Sequence, residues 1–183
     1  MALLVWPLER NEIRRGIANN AFGYVRNGGT RPHQGWDLYA PLGTMCYAVA
    51  DGKIADVGYH PDFGNFVLLK FHHRGQTLYA AYCHLSVPAV FAGDGVKAGD
   101  RIGLTGDSGN AKNPNGDEQH LHFEIRTQLA VGRGLGVRID PAQLYGRAPL
   151  GWTFFEGHGQ KLNASGATGL KVRGVNVRVR EEW

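Results

Sequence analysis

The feature that most constrains the fold of this chain is the alternating stretch His120–Arg126, which reads HLHFEIR. Successive side chains of a β-strand point to opposite faces of the sheet. The three apolar residues therefore share one face, which predicts a strand with a core-facing side. His120 and His122 share the other face, followed there by Glu124 and Arg126. Two imidazoles at this spacing can converge on one small object.

Much of the remaining chain consists of short strand-like stretches separated by turns. The 27 glycines favour tight turns. We predict a long hairpin over NFVLLKFHHRGQTLYAAYCHL that turns at Arg74-Gly75, and a second over MCYAVADGKIADVGY joined at Asp51-Gly52. A short helix is predicted over about Glu9–Ala18. The whole pattern is typical of a compact, mostly β, antiparallel domain with short helical pieces.

Composition limits the classes of partner. The net charge of +4 is spread thinly over 183 residues without a basic run, so we expect no nucleic acid partner. No apolar run is long enough to cross a membrane, so we expect no membrane insertion. Cys46 and Cys83 lie in apolar stretches without metal-binding spacing, which favours two buried free thiols over a disulfide.

The candidate site residues occur in three places. His33 stands four residues before Asp37 in the loop-like PHQGWD, His84 ends a strand in YCHL, and His120 and His122 open the HLHFEIR strand. A catalytic zinc ion takes three protein ligands through nitrogen or oxygen and keeps one position open. Histidine and carboxylate side chains meet that need. Two histidines and one carboxylate also bind the iron of non-haem iron oxygenases, so the residue types alone leave both metals open.

From about Trp6 to Leu144 the chain resembles the lysostaphin/LytM-type zinc metalloendopeptidases, which hydrolyse peptide bonds in bacterial peptidoglycan. The matching pieces occur in order along the sequence: WPL, AFGYV, HQGWDLYAPLGT, AVADGKIADVG, GNFVLLKF, YAAYCHL, GDGVKAGDRIGLTGDSGN, HLHFEIR and IDPAQL. The combination of His-x-x-x-Asp with His-Leu-His is a specific signal, whereas a lone His-x-His is not.

The resemblance implies a role for each candidate. It implies a Zn²⁺ ion held by His33, Asp37 and His122, and a catalytic role for His84 and His120, which line the site. It also implies an antiparallel sheet with the active site in a groove. We expect His120 to take a proton from water and His84 to donate to the oxyanion or the leaving amine, with the two roles exchangeable.

The function expected from this resemblance is hydrolysis of peptide cross-links or bridges of bacterial peptidoglycan. Two alternatives stay open: a catalytically silent LytM-like binding module that activates other wall hydrolases, and a non-haem iron oxygenase. Trp36, Tyr39 and Tyr82 either line a peptide groove or pack in the core. Glu124 either orients a metal ligand or lies solvated at the rim.

Three further expectations concern organisation and place of action. Residues 1–145 are predicted to form the metallopeptidase domain, with 146–183 a C-terminal extension packed on it. The family's usual arginine two residues after FG is replaced by Val25, with Arg26 next to it, and the loop before His120 is longer than usual. We expect action in the periplasm or the extracellular cell wall. No signal peptide is visible, so the export route is open (a leader absent from this sequence, or phage or contractile delivery), as is any delivery or inhibitor partner.

Overall fold

The structure, a computed structural model, describes residues 4–129, 132 and 134–158 and the backbone of a strand at 177–179. Its strands are β1 (Arg10–Asn11), β2 (Gly23–Arg26), β3 (Arg31–His33), β4 (Trp36–Tyr39), β5 (Met45–Tyr47), β6 (Gly52–His60), β7 (Gly64–His73), β8 (Gln76–Pro88), β9 (Gly95–Val96), β10 (Arg101–Thr105), β11 (His120–Arg126), β12 (Arg138–Ile139), β13 (Thr153–Phe155) and β14 (Val177–Val179). Its helices are α1 (Ala142–Tyr145) and the 3-10 helices Arg14–Gly16, Ala18–Asn20, Asn27–Gly29 and Gly116–Glu118.

Most strands form one antiparallel sheet. Its order is β12-β11-β8-β7-β6-β9, with β10 pairing with β5 and β8, and β4 pairing with β11. A small sheet of β1, β13 and β14 and the β2–β3 hairpin lie outside this order. The predicted fold class, a mostly β antiparallel domain with short helical pieces, is confirmed.

The long hairpin is formed by β7 and β8 and turns where the sequence predicts. His73 pairs with Gln76, which leaves Arg74 and Gly75 as a two-residue turn. Both turn residues have positive φ, 49° and 79°. Such a turn matches the right-handed twist of the flanking strands, which fixes the register of this hairpin. β8 in turn pairs with β11, so the hairpin supports the strand that carries the two histidines.

The predicted hairpin at Asp51-Gly52 is wrong, because β5 and β6 do not pair. β5 pairs with β10, whereas β6 pairs with β7 and β9. The Asp51 carboxylate accepts a hydrogen bond from the backbone N–H of Ala98 at 2.9 Å, which ties the turn to a neighbouring loop. A Cβ on Gly52 would lie 2.2 Å from the carbonyl oxygen of Lys70. The glycine therefore permits close approach to β7 and does not form a hairpin turn.

The predicted helix over about Glu9–Ala18 is also wrong, since this segment forms β1 and a 3-10 helix. Its backbone pairs with β4 through the Ile13–Leu38 bridge, and the N–H of Tyr39 donates to the carbonyl of Glu12 at 3.0 Å. Groups that bond to a neighbouring strand are not free to form helical hydrogen bonds. This pairing brings the N-terminal segment next to the strand that carries Asp37.

β11 is buried on both faces. Leu121, Phe123 and Ile125 lie in the hydrophobic core, as the alternation predicts. On the opposite face, His122 is 6% exposed and Glu124 is 0% exposed. Buried charges require compensation by partners, so this face must be an internally balanced polar layer.

The first residues of the C-terminal extension pack against the N-terminal segment. β13 pairs with β1, and the ring of Trp6 stacks on Tyr145 at 4.4 Å and on Phe154 at 4.8 Å. The Nε2–H of buried His158 donates to the Trp6 carbonyl at 2.8 Å. The domain boundary at 145 stays a prediction, and residues 159–176 and 180–183 of the extension lie outside the described part.

The structure bears on two expectations from the sequence: that the two cysteines are buried free thiols, and that the chain has no segment that crosses a membrane. Cys46 and Cys83 are both free and buried, and burial raises the pKa of each thiol. Within the described residues, the helices are all too short or too polar to cross a membrane.

Candidate active site

Three side chains from three separate strands converge in the polar layer. His33 ends β3, Asp37 lies in β4 and His122 lies in β11. β4 and β11 pair with His122 directly opposite Asp37. Between β3 and β4 the backbone crosses β11 so closely that a Cβ on Gly35 would lie 2.2 Å from the carbonyl oxygen of Phe123. Glycine at this position therefore allows His33 to reach the other two residues.

The donor atoms of these residues are close together and buried. Asp37 Oδ1 lies 2.8 Å from His122 Nδ1 and 3.1 Å from His33 Nε2, and the two ring nitrogens are 3.2 Å apart. The three residues are 1–6% exposed. A tetrahedral zinc ion with bonds of about 2.0–2.1 Å holds its ligand atoms about 3.3 Å apart. The observed spacing therefore suits a small divalent cation.

The outer nitrogen of each imidazole already has a partner. His33 Nδ1 lies 2.8 Å from the carbonyl oxygen of Ala21, which can only accept, so Nδ1 carries a hydrogen. His122 Nε2 lies 3.1 Å from Glu124 Oε1 and donates to it. In the neutral tautomers the inner nitrogens therefore direct lone pairs toward Asp37. Three lone pairs that meet without a hydrogen between them form a donor set for a cation such as zinc.

Without a cation, a proton compensates the charge of this site. Burial lowers the pKa of His122, but hydrogen bonds to Asp37 and Glu124 outweigh it and raise the pKa to about 9. Burial also opposes ionisation of Asp37, yet the hydrogen bond from the protonated His122 holds the pKa of this carboxyl well below its usual range. The metal-free site is thus an imidazolium–carboxylate pair, and a cation has to displace the proton.

The second carboxylate oxygen of Asp37, Oδ2, accepts a hydrogen bond from Arg26. This arginine stands one residue after Val25, the position at which the family usually has arginine. Arg26 Nη2 donates to Asp37 Oδ2 at 2.7 Å. The pairing of β2 with β3 is irregular between Tyr24 and Arg26, so Val25 is the extra residue of a bulge. A bulge re-aims the side chains that follow it. Arg26 therefore reaches Asp37 although Val25 stands where the family usually has arginine.

His84 and His120 flank the donor atoms in matching orientations. His84 Nδ1 donates to the carbonyl of Ser108 at 2.9 Å, and His120 Nδ1 donates to the carbonyl of Glu118 at 2.7 Å. Their ring centroids are 5.3 Å apart. His120 Nε2 lies 3.7 Å from Asp37 Oδ1. Because each Nδ1 carries the hydrogen, each neutral ring offers an unprotonated Nε2.

His84 is held in a strained backbone conformation. Its φ is 60°, in the left-handed region that non-glycine residues rarely adopt, and its N–H donates to the carbonyl of Phe63 at 2.7 Å. Burial and the neighbouring imidazoles lower the pKa of His84 to about 3. Burial also lowers the pKa of His120, which Asp37 opposes. Both rings are therefore neutral at neutral pH.

Glu124 belongs to the buried interior and not to a solvated rim. Its Oε2 accepts hydrogen bonds from Arg126 Nε at 2.6 Å and Arg138 Nε at 2.9 Å, while Oε1 accepts from His122. Burial opposes ionisation, but these partners lower the pKa of Glu124 to about 2. Of the two predicted alternatives, the structure favours contact with the candidate ligand His122.

A groove runs past these side chains. Its lining includes Arg31 and Pro32 from β3, residues 60–63 before β7, and residues 110–115 of the long loop before β11. Two aromatic candidates for this lining lie elsewhere, since Trp36 and Tyr82 are fully buried in the core. Trp36 alternates with Asp37 on β4 and therefore points away from the groove.

Sequence reasoning missed Arg14, Phe63 and Ser108. Arg14 Nη2 lies 3.7 Å from Asp37 Oδ2, and the Phe63 ring stacks against His122 at 6.3 Å. Their positions depend on pairings between distant segments, so no local pattern marks them. Ser108 lies in a glycine-rich stretch whose only sequence signal was its resemblance to the family.

The antiparallel sheet of this chain, with buried histidine and aspartate side chains beside a groove, agrees with the expected resemblance to the lysostaphin/LytM-type metallopeptidases. Residues 31–141, more than half of the chain, match the family model described as peptidase family M23. The chain belongs to peptidase family M23.

Curated relatives support this membership. The chain is 38% identical over 94 residues to the peptidoglycan DD-endopeptidase ShyA of Vibrio cholerae, which covers 51% of this chain and 20% of that protein. It is 38% identical over 151 residues to the DD-carboxypeptidase/endopeptidase Mpg of Neisseria meningitidis, covering 82% and 32%. The chain thus spans between about a fifth and a third of the length of these two relatives.

Solved structures agree. The catalytic domain of the antimicrobial peptidase lysostaphin from Staphylococcus simulans is 30% identical with a TM-score of 0.55, covering 70% of this chain and 90% of that chain. A zinc-containing peptidase from Vibrio cholerae is 31% identical with a TM-score of 0.54, covering 68% and 36%.

Proposed function

We propose that this chain is a zinc-dependent endopeptidase that hydrolyses peptide cross-links or bridges of bacterial peptidoglycan. The observation that carries the proposal is the convergence of His33 Nε2, Asp37 Oδ1 and His122 Nδ1 at one groove. The unprotonated nitrogens of His84 and His120 beside them supply groups for proton transfer. Membership of peptidase family M23 supports the same chemistry.

His33, Asp37 and His122 would hold the zinc ion. When bound, zinc lowers the pKa of a coordinated water from about 15.7 to about 7 and polarises a carbonyl group. The inner atoms of these ligands face one another, and the ion would replace the proton between His122 and Asp37. A backbone carbonyl and Glu124 hold the outer nitrogens of the two histidines, and Arg26 holds the outer oxygen of Asp37. These outer contacts fix the orientation of each ligand.

We assign the role of general base to His120. Its Nε2 lies 3.7 Å from Asp37 Oδ1, next to the donor atoms, and is unprotonated because Nδ1 donates to Glu118. It would take a proton as water attacks the scissile carbonyl carbon. The carbon–nitrogen bond then breaks, and the departing amine receives a proton from the imidazolium of His120 or through His84. The two histidines are placed so similarly that their roles are exchangeable.

The substrate class follows from the relatives. ShyA is named a peptidoglycan DD-endopeptidase, Mpg a DD-carboxypeptidase/endopeptidase and lysostaphin an antimicrobial peptidase. We therefore propose peptidoglycan peptides as substrate, with action in the periplasm or the extracellular cell wall. The proposal also includes the possible partners expected from the sequence, a delivery machinery or an inhibitor.

Digestion of isolated peptidoglycan, with mass spectrometry of the released fragments, tests the function. We expect peptide-bond cleavage with zinc, loss of cleavage after chelation and recovery when zinc is restored. A zinc-loaded protein that cleaves nothing but stimulates another wall hydrolase would favour the silent binding module. Oxygen uptake with ferrous iron, without cleavage, would favour the oxygenase.

A further inference from the structure

Arg14 connects four parts of the candidate site. Its Nη1 donates to the carbonyl oxygen of Glu118 at 3.0 Å and to Glu118 Oε2 at 2.7 Å. Its Nη2 donates to Asn20 Oδ1 at 2.9 Å and lies 3.7 Å from Asp37 Oδ2. Its Nη1 also lies 3.5 Å from His120 Nδ1. A guanidinium group has donors in a rigid planar fork, so one side chain can hold several acceptors at once.

Arg14 is itself held firmly in place. Its side chain is only 15% exposed, and Asn20, which is 2% exposed, donates from Nδ2 to the Arg14 carbonyl at 2.8 Å. The neighbouring Ile13 forms the backbone bridge to Leu38 on β4. The position of the guanidinium is therefore fixed by backbone pairing and by a reciprocal hydrogen bond, and not by the exposed loop that it contacts.

The Glu118 carbonyl oxygen accepts hydrogen bonds from both Arg14 and His120, and it links Arg14 to the protonation state of the His120 ring. The Glu118 carbonyl accepts from His120 Nδ1 at 2.7 Å, and this contact places the hydrogen on Nδ1 and leaves Nε2 unprotonated. Glu118 ends a single 3-10 turn in the long loop, where Asn113 has a φ of 50°. Without Arg14, this turn loses the hydrogen bond to the Glu118 carbonyl and one of the hydrogen bonds to the Glu118 carboxylate, whereas the bond from the exposed Arg15 remains.

We propose that Arg14 is a positioning residue of the active site, which holds the Glu118 carbonyl and thereby fixes the orientation and the tautomer of His120. The inference rests on the proposed function, in which His120 takes a proton from water. Arg14 lies before residues 31–141, so the family match assigns it no role. Through Arg14, the N-terminal segment then contributes one positioning residue to the active site.

Arg15 provides a matched control. Its Nη1 also pairs with the Glu118 carboxylate, at 2.6 Å from Oε1, but its side chain is 53% exposed. No described contact joins Arg15 to the Glu118 carbonyl or to Asp37. Arg14→Met and Arg15→Met each remove one ion pair with Glu118, so a difference between them reports the contacts that only Arg14 makes.

The first measurement does not depend on activity. Long-range proton–nitrogen NMR spectra of the zinc-loaded protein resolve the tautomer of each imidazole. We expect His120 to show the Nδ1–H tautomer alone in the wild type and in Arg15→Met, and a mixture of tautomers in Arg14→Met. An unchanged His120 pattern in Arg14→Met, or an equal change in both variants, would overturn the proposal.

The second measurement is kinetic. With full zinc content, Arg14→Met should lower kcat by about tenfold, the lower end of the effect of outer contacts at metal sites, with KM unchanged. Arg15→Met should lower kcat by less than about twofold, as expected for a surface ion pair. Equal losses of kcat in Arg14→Met and Arg15→Met would contradict the proposal.

Arg14→Lys covers the case in which Arg14→Met does not fold. Lysine keeps the charge, but its single ammonium group cannot bridge Glu118 and Asn20 in the same geometry. A mixed tautomer of His120 in this variant supports the proposal, and a wild-type pattern with wild-type kcat opposes it. If the wild-type protein cleaves no peptidoglycan, the proposed function fails, while the NMR spectra still decide the role of Arg14.

Discussion

Asp37 and Glu124 are two buried carboxylates that contact the same imidazole, yet their surroundings differ in kind. Glu124 Oε2 accepts hydrogen bonds from two guanidinium groups, and Oε1 accepts from His122 Nε2. Asp37 Oδ2 accepts from Arg26, but Oδ1 faces His33 Nε2 and His122 Nδ1, which present lone pairs in their neutral forms. Glu124 is surrounded by hydrogen-bond donors, whereas Asp37 Oδ1 lies next to imidazole nitrogens that are acceptors in their neutral forms.

The difference separates a supporting carboxylate from a candidate ligand. A carboxylate whose oxygens all receive hydrogens is compensated within the protein and needs no ion. A carboxylate oxygen that meets two imidazole lone pairs requires a shared cation, either a proton or a metal ion. Buried carboxylates near histidines are therefore better distinguished by the direction of their hydrogen bonds than by burial or distance.

The largest expected effect comes from Asp37→Asn, which keeps the size of the side chain and removes its charge. We expect zinc binding to be lost and kcat/KM to fall by about a thousandfold or more, because the metal supplies several kcal/mol of transition-state stabilisation. Elemental analysis and peptidoglycan digestion measure both. Arg26 is 25% exposed and can be solvated, so the metal-free variant should stay folded. Full zinc content in Asp37→Asn would contradict the assignment of Asp37 as a metal ligand and of Glu124 as a supporting carboxylate.

The second-largest expected effect is on the free energy of unfolding. Glu124→Gln leaves Arg126 and Arg138 buried without the carboxylate that they share, which should lower the free energy of unfolding by about 3–5 kcal/mol. Denaturant unfolding of the metal-free protein measures the loss. The control is Asp51→Asn, whose exposed pair with Lys97 should contribute no more than about 1 kcal/mol. Equal losses in the two variants would show that Glu124 is not a supporting charge.

The smallest effect is a pH dependence of the metal-free protein. The pKa of His122 is raised to about 9 from 6.5, so its contribution to stability is complete below pH 6.5 and is lost as the pH rises through 9. The pKa of Glu124 is lowered to about 2 from 4.5, so its contribution is present above pH 4.5 and is lost as the pH falls through 2.

Unfolding curves across this pH range, with and without zinc, sharpen the comparison. Saturating zinc should abolish the loss on the basic side, because the ion replaces the proton between Asp37 and His122. The loss on the acidic side that comes from Glu124 should remain. A basic-side loss of the same size with and without zinc would contradict the assignment of this site.

The sequence predicted the parts of the site that local patterns determine. Period-two alternation in β11 predicts that His122 and Glu124 share a face, and the hairpin signal at Arg74-Gly75 predicts the strands beside it. The structure brings the predicted residues His33, Asp37 and His122 together. Residue patterns alone did not determine which histidines would meet, and the resemblance to the family supplied that expectation.

The remainder depends on pairings between distant segments, which no local pattern encodes. The contact of Arg14 with Glu118 joins residues 104 positions apart. The misassigned turn at Asp51-Gly52 failed for the same reason, since the neighbours of β5 and β6 are determined by β10 and β7. A bulge at Val25 moved Arg26 into contact with Asp37, and the sequence showed only an offset arginine.

The most direct test of the site is the zinc content of two variants of the HLHFEIR strand, measured by elemental analysis on purified protein. We predict that His122→Ala contains no zinc and that His120→Ala contains one equivalent per chain but does not cleave peptidoglycan. Zinc retained in His122→Ala, or lost from His120→Ala, would contradict the account.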